Sequence, residues 1–254
     1  MTTSDNERAS SDRPESVGGP GVAAWAPRAN PPPVATTLVA ALVVAAAAGV
    51  LGWVLGDRYR VAEIVDIDDF YGGSELDVAR AARNAAVNYA IVGALLSLGL
   101  GAAAGWLVKP RSISRGCLAG LAGIVLGACG GAASSHVLAP LFFGHQEAAD
   151  LRLAVLIHLG IWTAIGGAAG VAFGIGSASR RLFVLALIGG IVGGAMGTLL
   201  FDISGAFFPV AHTERPLAEA AGVRLAGDLL LSASVALGIV VLVCQRLPVA
   251  ANES

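Results

Sequence analysis

The sequence predicts an all-α, polytopic integral membrane protein with about six transmembrane helices in a Gly/Ala-rich bundle. Three observations carry that expectation. Of the 254 residues, 56% are hydrophobic and only 13% charged. The apolar residues fall in blocks long enough to cross a hydrocarbon layer of about 30 Å. Those blocks are nearly free of charge, Ala85 to Val108 containing no Asp, Glu, Lys or Arg. A soluble chain of this size would scatter charges every few residues to solvate its helix faces.

Residues 1–33 are polar, rich in Ser, Pro and charge, and end in Pro31, Pro32 and Pro33. Such a segment cannot bury a core, and a disordered cytoplasmic tail is expected. It is not a signal peptide, because no apolar stretch follows a short basic start. The six-span domain is expected over 34–246, beginning with Val34 to Gly56. Ser74 and Asp77 form a capping-box pattern with Asp in place of the usual Glu or Gln, opening a helix through Ala79, Ala82 and Ala86. That helix runs directly into the second span, Ala85 to Val108. Gly116 to Ala139, Leu153 to Gly176 and Leu182 to Phe201 supply the next three spans. The sixth, Val223 to Cys244, contains Arg224 and Asp228, which stand four apart on one helix face and are expected to form an ion pair there. Residues 247–254 form a short C-terminal tail.

Orientation follows from the basic residues in the short connections. Lys109, Arg111 and Arg115 crowd one connection, Arg180 and Arg181 another, and Arg28 precedes the first span on the same side. Both termini are therefore expected in the cytoplasm. Lys109 is the only lysine among 16 basic residues, which with the Ala and Gly excess reads as a bacterial inner-membrane protein.

A gapless shift of 65 residues lays the second and third spans on the fourth and fifth. Gly101, Ala103, Ala104 and Gly105 then match Gly166, Ala168, Ala169 and Gly170, and Ser112, Ser114 and Arg115 match Ser177, Ser179 and Arg180. Both hairpins cross in the same sense, so this reads as a possible parallel duplication of a two-helix hairpin.

Glycines recur at four-residue spacing on four spans. Gly93, Gly101 and Gly105 mark the second, with Ser97 completing the series, and Gly123, Gly127 and Gly131 the third. Gly166, Gly170 and Gly174 follow on the fourth, and Gly189, Gly193 and Gly197 on the fifth. Each series draws a nearly straight line along its helix, letting backbones approach closely where lipid supplies no hydrophobic drive between helices.

The four histidines, His136, His145, His158 and His212, all map to the extracytoplasmic half, near Glu147, Asp150, Asp202, Glu214 and Asp228. Imidazole and carboxylate together bind transition metals or relay protons. His136, His158 and Asp202 are the candidates for such a site, set against interfacial histidines bonded to loops. Cys117, Cys129 and Cys244 lack metal or redox spacing and read as packing residues. Asp66, Asp68 and Asp69 lack the framework of a calcium loop and read as a solvated acidic stretch.

Several function classes are excluded. Sixteen basic against 18 acidic residues leave no basic face for nucleic acid. Asp202 and Asp228 resemble the paired acids of intramembrane aspartyl proteases, but Leu225, Ala226 and Gly227 stand where the GxGD signature would be. The GxSG-type serine and sixth-helix histidine of rhomboid proteases are missing, as are HExxH, a P-loop and a helix-opening GxGxxG. The expectation is a non-enzymatic protein without cofactor, a scaffold or subunit of a membrane assembly packed through its glycines. Its partners would be the lipid bilayer and a second copy or another membrane protein. The alternative is a transporter or channel for a small solute, ion or metal, with a His/Asp cluster near its extracytoplasmic entrance. Convergence of the polar groups on one interior cavity and a central helix broken near mid-membrane would favour transport; a dry centre and glycine stripes partly facing lipid would favour the scaffold.

Overall fold

In lipid no water is available to bond the backbone, so a charge-free apolar run must satisfy its N–H and C=O groups within a helix. Among the residues it describes, the computed structural model contains six helices: α1 Val34–Arg58, α2 Glu75–Val108, α3 Ile113–Phe143, α4 Leu151–Ser177, α5 Arg180–Phe207 and α6 Ala221–Cys244. The structure describes residues 34–61, 75–108, 113–143, 151–207 and 215–245. All six helices are long and apolar enough to cross a membrane, and no strand occurs among the described residues. The chain is a multi-pass membrane protein. Several sequence expectations fall outside the described residues: the N- and C-terminal tails, the acidic stretch at 66–69, the capping Ser74, His145 and His212.

α2 is one continuous helix of 34 residues, so the segment before the second span does run into it. α3 extends to Phe143 with Pro140 inside its last turn, where a proline removes a single N–H donor. α5 continues past Phe201, the expected end of the fifth span, to Phe207. Asp202 does not stop it, because its carboxylate is engaged inside the bundle instead of facing lipid. The turn between α4 and α5 is tight. Ala178 adopts a left-handed φ of 52°, and Ser179 Oγ accepts a hydrogen bond from the Leu182 N–H at 3.5 Å as α5 begins.

Successive helices run antiparallel. α1, α2, α4, α5 and α6 form a closed ring, with α1 packed on α6, and α3 lies outside it against α2 and α4. One end of the bundle carries the α1–α2, α3–α4 and α5–α6 connections and is called here the long-loop end; the other carries the short turns. Apolar side chains such as Val39 and Val43 on α1, Leu121 and Val125 on α3 and Met196 and Leu200 on α5 point outward, as lipid permits.

Small residues set the spacing between helices. A Cβ added to Gly101 would stand 2.8 Å from the Ala119 carbonyl oxygen, and one on Gly123 2.6 Å from that of Ser97. Gly93, Gly105, Gly127 and Gly131 lie equally close to main chain across the α2–α3 contact. Gly166 and Gly170 bring α4 onto the backbone of α5, Gly174 meets Phe183, and Gly189 and Gly193 bring α5 onto α6. Gly197 faces the side chains of Ser234 and Trp162. The two hairpins share this device but not its register. Gly101 faces Ala119, so a uniform shift of 65 would set Gly166 against Val184; it faces Gly190 instead.

The ring interior has two zones. Towards the short-turn end it is filled by Leu96, Leu100, Ile165, Leu231, Val235 and Ile239, all fully buried. Towards the long-loop end the buried side chains include Asn84, Asn88, Tyr89, His158, Asp202, Arg224 and Asp228.

Candidate functional site

The polar zone is assembled from four helices and one connecting segment. α4 contributes His158, about 10 Å below the start of the helix at 1.5 Å per residue. Its Nδ1 lies 3.0 Å from Asp202 Oδ1 on α5, and its Nε2 lies 3.0 Å from the carbonyl oxygen of Arg215. An aromatic wall holds the imidazole in place. The Phe201 ring meets it edge-on with centroids 5.7 Å apart, and Trp162, one turn along α4, lies at 6.1 Å.

A second branch begins on α2. The Trp162 indole N–H points at the Tyr89 hydroxyl at 3.5 Å, and that hydroxyl donates to the Pro216 carbonyl oxygen at 2.9 Å. Beside Tyr89, Asn88 Nδ2 donates to Asp228 Oδ1 of α6 at 3.2 Å. A turn earlier, Asn84 binds the main chain of Val61 at both its N–H and C=O, each at 3.0 Å. Gly56 of α1 lies against Asn88 Oδ1, and any Cβ there would overlap it. The sequence supplies glycine at the one α1 position the amide requires.

The segment 215–220 closes the long-loop end of the ring. Its carbonyls serve as acceptors for side chains beneath them: Arg215 for His158, Pro216 for Tyr89, and Ala218 and Glu219 for Arg224. Arg60 also donates to the Glu219 carbonyl, at 3.3 Å. Pro216 and Ala218 are buried.

The expected ion pair between Arg224 and Asp228 is not formed. Arg224 turns to α1 and the closing segment, its Nη2 standing 2.5 Å from Asp57 Oδ1 and its Nη1 bonding the Ala218 and Glu219 carbonyls. Helical spacing places Arg224 and Asp228 on one face, but Asp57 lies nearer the bundle rim, where a long guanidinium stem can reach with less desolvation. Asp228 is left with a neutral amide as its donor. Its Oδ2 and Asp202 Oδ2 are both buried and lack a hydrogen-bond donor among the described residues.

The three candidate metal ligands separate. His158 and Asp202 meet, but His136 is exposed on α3, outside the ring, in a groove shared with α2. Among the described residues no group of three His, Cys, Asp or Glu side chains is placed to hold a metal ion. Cys117 and Cys129 are exposed and Cys244 half-buried, all as free thiols. Sequence reasoning did not select Asp57, Asn84, Asn88, Tyr89 or Trp162. Asn84 and Asn88 carry the signal that could have found them: two amides one turn apart at the entry to an otherwise apolar span.

The chemistry available at this centre is proton and charge exchange. The His158 ring faces a carboxylate oxygen and a carbonyl oxygen, both acceptors. Both contacts are hydrogen bonds when the ring carries two protons, or when one of them sits on Asp202 and is donated to Nδ1. No family model matches the chain, and neither the curated proteins nor the solved structures contain a match to it.

Proposed function

We propose that the protein is a non-enzymatic membrane protein that moves protons or a small cation through the ring, using His158, Asp202 and Asp228 as its ionisable centre. One observation carries this reading: two carboxylates lie inside a lipid-embedded helix ring, each with one buried oxygen that no described group satisfies. Ionisable groups at such depth are costly and mark ion or proton paths more often than structure alone requires. The segment 215–220 would act as the plug on the long-loop side. Following the arginine-rich short turns, that side is extracytoplasmic in a bacterial inner membrane, with both termini inside.

A second reading, the scaffold, draws on the other zone. Leu96, Leu100, Ile165, Leu231 and Val235 fill the ring below the polar centre, and all six helices are continuous through the apolar layer. A protein of this kind would use its lipid-facing surface to hold a second copy or another membrane protein.

Liposome flux separates the two. Purified protein is reconstituted with a pH-sensitive dye inside, a potassium diffusion potential is imposed with valinomycin, and external Na⁺, K⁺ and pH are varied. The proton or cation path requires flux above protein-free vesicles that falls at least tenfold in Asp202→Asn and Asp228→Asn. Flux equal to empty vesicles under every gradient would overturn it and leave the scaffold.

A further inference from the structure

On the side of α2 turned away from the polar centre, α2 and α3 diverge to leave an open groove of about 620 Å³. Its apolar lining includes Ala82, Ala86 and Ala90 of α2 and Ala132 of α3, and its two basic members are Arg83 and His136. None of the described lining residues is acidic. Both basic side chains are exposed, and neither has a hydrogen-bond or ion-pair partner among the described residues.

Arg83 lies near the start of the apolar stretch Val78–Trp106, which is long enough to cross a membrane, and two residues before the charge-free run that begins at Ala85. A guanidinium at the lipid perimeter must reach the interface or meet an anion there. His136 stands level with it across the groove, since Tyr89 and Gly131 lie opposite one another one to two turns deeper. The methyl-lined trough of Ala86, Ala90 and Ala132 continues inward from the two basic groups. Larger side chains at these positions would fill it.

We infer that this groove binds one anionic phospholipid from the long-loop leaflet, its phosphate held by Arg83 and His136 and an acyl chain lying along Ala86, Ala90 and Ala132. Charge complementarity selects this occupant. Arg presents a planar fork of donors that matches phosphate oxygens, and none of the described lining residues is a carboxylate that would compete for it. The apolar floor asks for a chain attached to that phosphate, which a free anion lacks. The site is separate from the His158 centre and stands whether or not the ring conducts ions.

The test is native mass spectrometry of the delipidated protein titrated with phosphatidylglycerol, phosphatidylcholine or glycerol 3-phosphate, with thermal unfolding in detergent as the check on folding. Wild type is expected to take up one phosphatidylglycerol at least tenfold more tightly than phosphatidylcholine, and to ignore glycerol 3-phosphate. Arg83→Gln should reduce that affinity about tenfold, the range for losing a charge-assisted hydrogen bond. Ala86→Leu, which keeps both charges and fills the trough, should reduce it as well and guards against Arg83→Gln failing to fold. Equal affinity for the two lipids, unchanged binding in both variants, or glycerol 3-phosphate binding as tightly as the lipid would overturn the proposal.

Discussion

His158 Nδ1 and Asp202 Oδ1 stand 3.0 Å apart with both side chains sealed from solvent. Neither group could hold its place without the other. Each supplies the hydrogen-bond partner that the other, buried at this depth, would otherwise lack. His158→Ala is therefore expected to destabilise the protein by about 3–5 kcal/mol, the cost of stranding one partner of a buried pair. The double variant His158→Ala, Asp202→Ala should recover part of that loss. Thermal or denaturant unfolding in detergent checks both, and a double variant whose loss equals the sum of the two single losses would mean the two do not interact.

Tyr89 joins α2 to the closing segment through one hydrogen bond to Pro216. Tyr89→Phe keeps the ring and its packing and removes only the hydroxyl, so a loss of about 1 kcal/mol is expected. Hydrogen exchange should show the difference locally, with faster exchange over 215–220 and little change in α5.

Arg224 holds the same segment more firmly, bonding two of its carbonyls as well as Asp57. Arg224→Met should open 215–220 to added protease. Asp57→Asn should have a smaller effect, because Asp57 is about half exposed and both carbonyl bonds survive. Limited proteolysis of the two variants side by side ranks them, and the reverse order would make the ion pair the principal tether.

Gly127→Ala places a methyl group on the main chain of Gly93, where neither helix can yield without moving as a body. A loss of about 1–3 kcal/mol is expected from this overpacking. Gly222→Ala, with nothing within 4 Å of the new atom, should be neutral or slightly stabilising, since it lies in the first turn of α6. Melting temperatures of the pair separate interhelical fit from helix propensity.

Ala178 sits at a φ of 52° between α4 and α5, a conformation that costs an L-residue roughly 1–2 kcal/mol. Glycine is the usual residue at such a helix end. Ala178→Gly is expected to stabilise the protein by up to about 1 kcal/mol, part of the gain being offset by the greater freedom of glycine in the unfolded chain.

The fold was legible because lipid enforces simple rules. A span must be long and nearly free of charge, so Ala85 to Val108 and its counterparts could be read from composition alone. The ends were less so, since a helix continues wherever its polar groups find partners, as Asp202 does on α5. The partners of Arg224 were illegible for a related reason: i, i+4 spacing reports one helix, whereas Asp57 arrives from α1, far away in sequence. The site was half visible. His158 and Asp202 stood out as charges among apolar neighbours, but His136 shares only their depth, and depth does not say which face of a helix looks inward. Asn84, Asn88 and Tyr89 were hidden because an amide or phenol in a span is tolerated by composition and acquires meaning only once Asp228 and Pro216 are brought against it.

The contact between α1 and α6 bears on how the protein is made. α1 completes its packing only against α6, which is synthesised after it, and the polar centre draws side chains from α2, α4, α5 and α6. Asn88 enters the bilayer long before Asp228 has been translated, and His158 before Asp202. During synthesis these groups must wait beside the insertion machinery, against one another, or in the wet mouth of the translocon. A chain truncated before α6 would leave the α1 face open and Asn88 without its acceptor. The ring therefore closes only once α6 has joined α1.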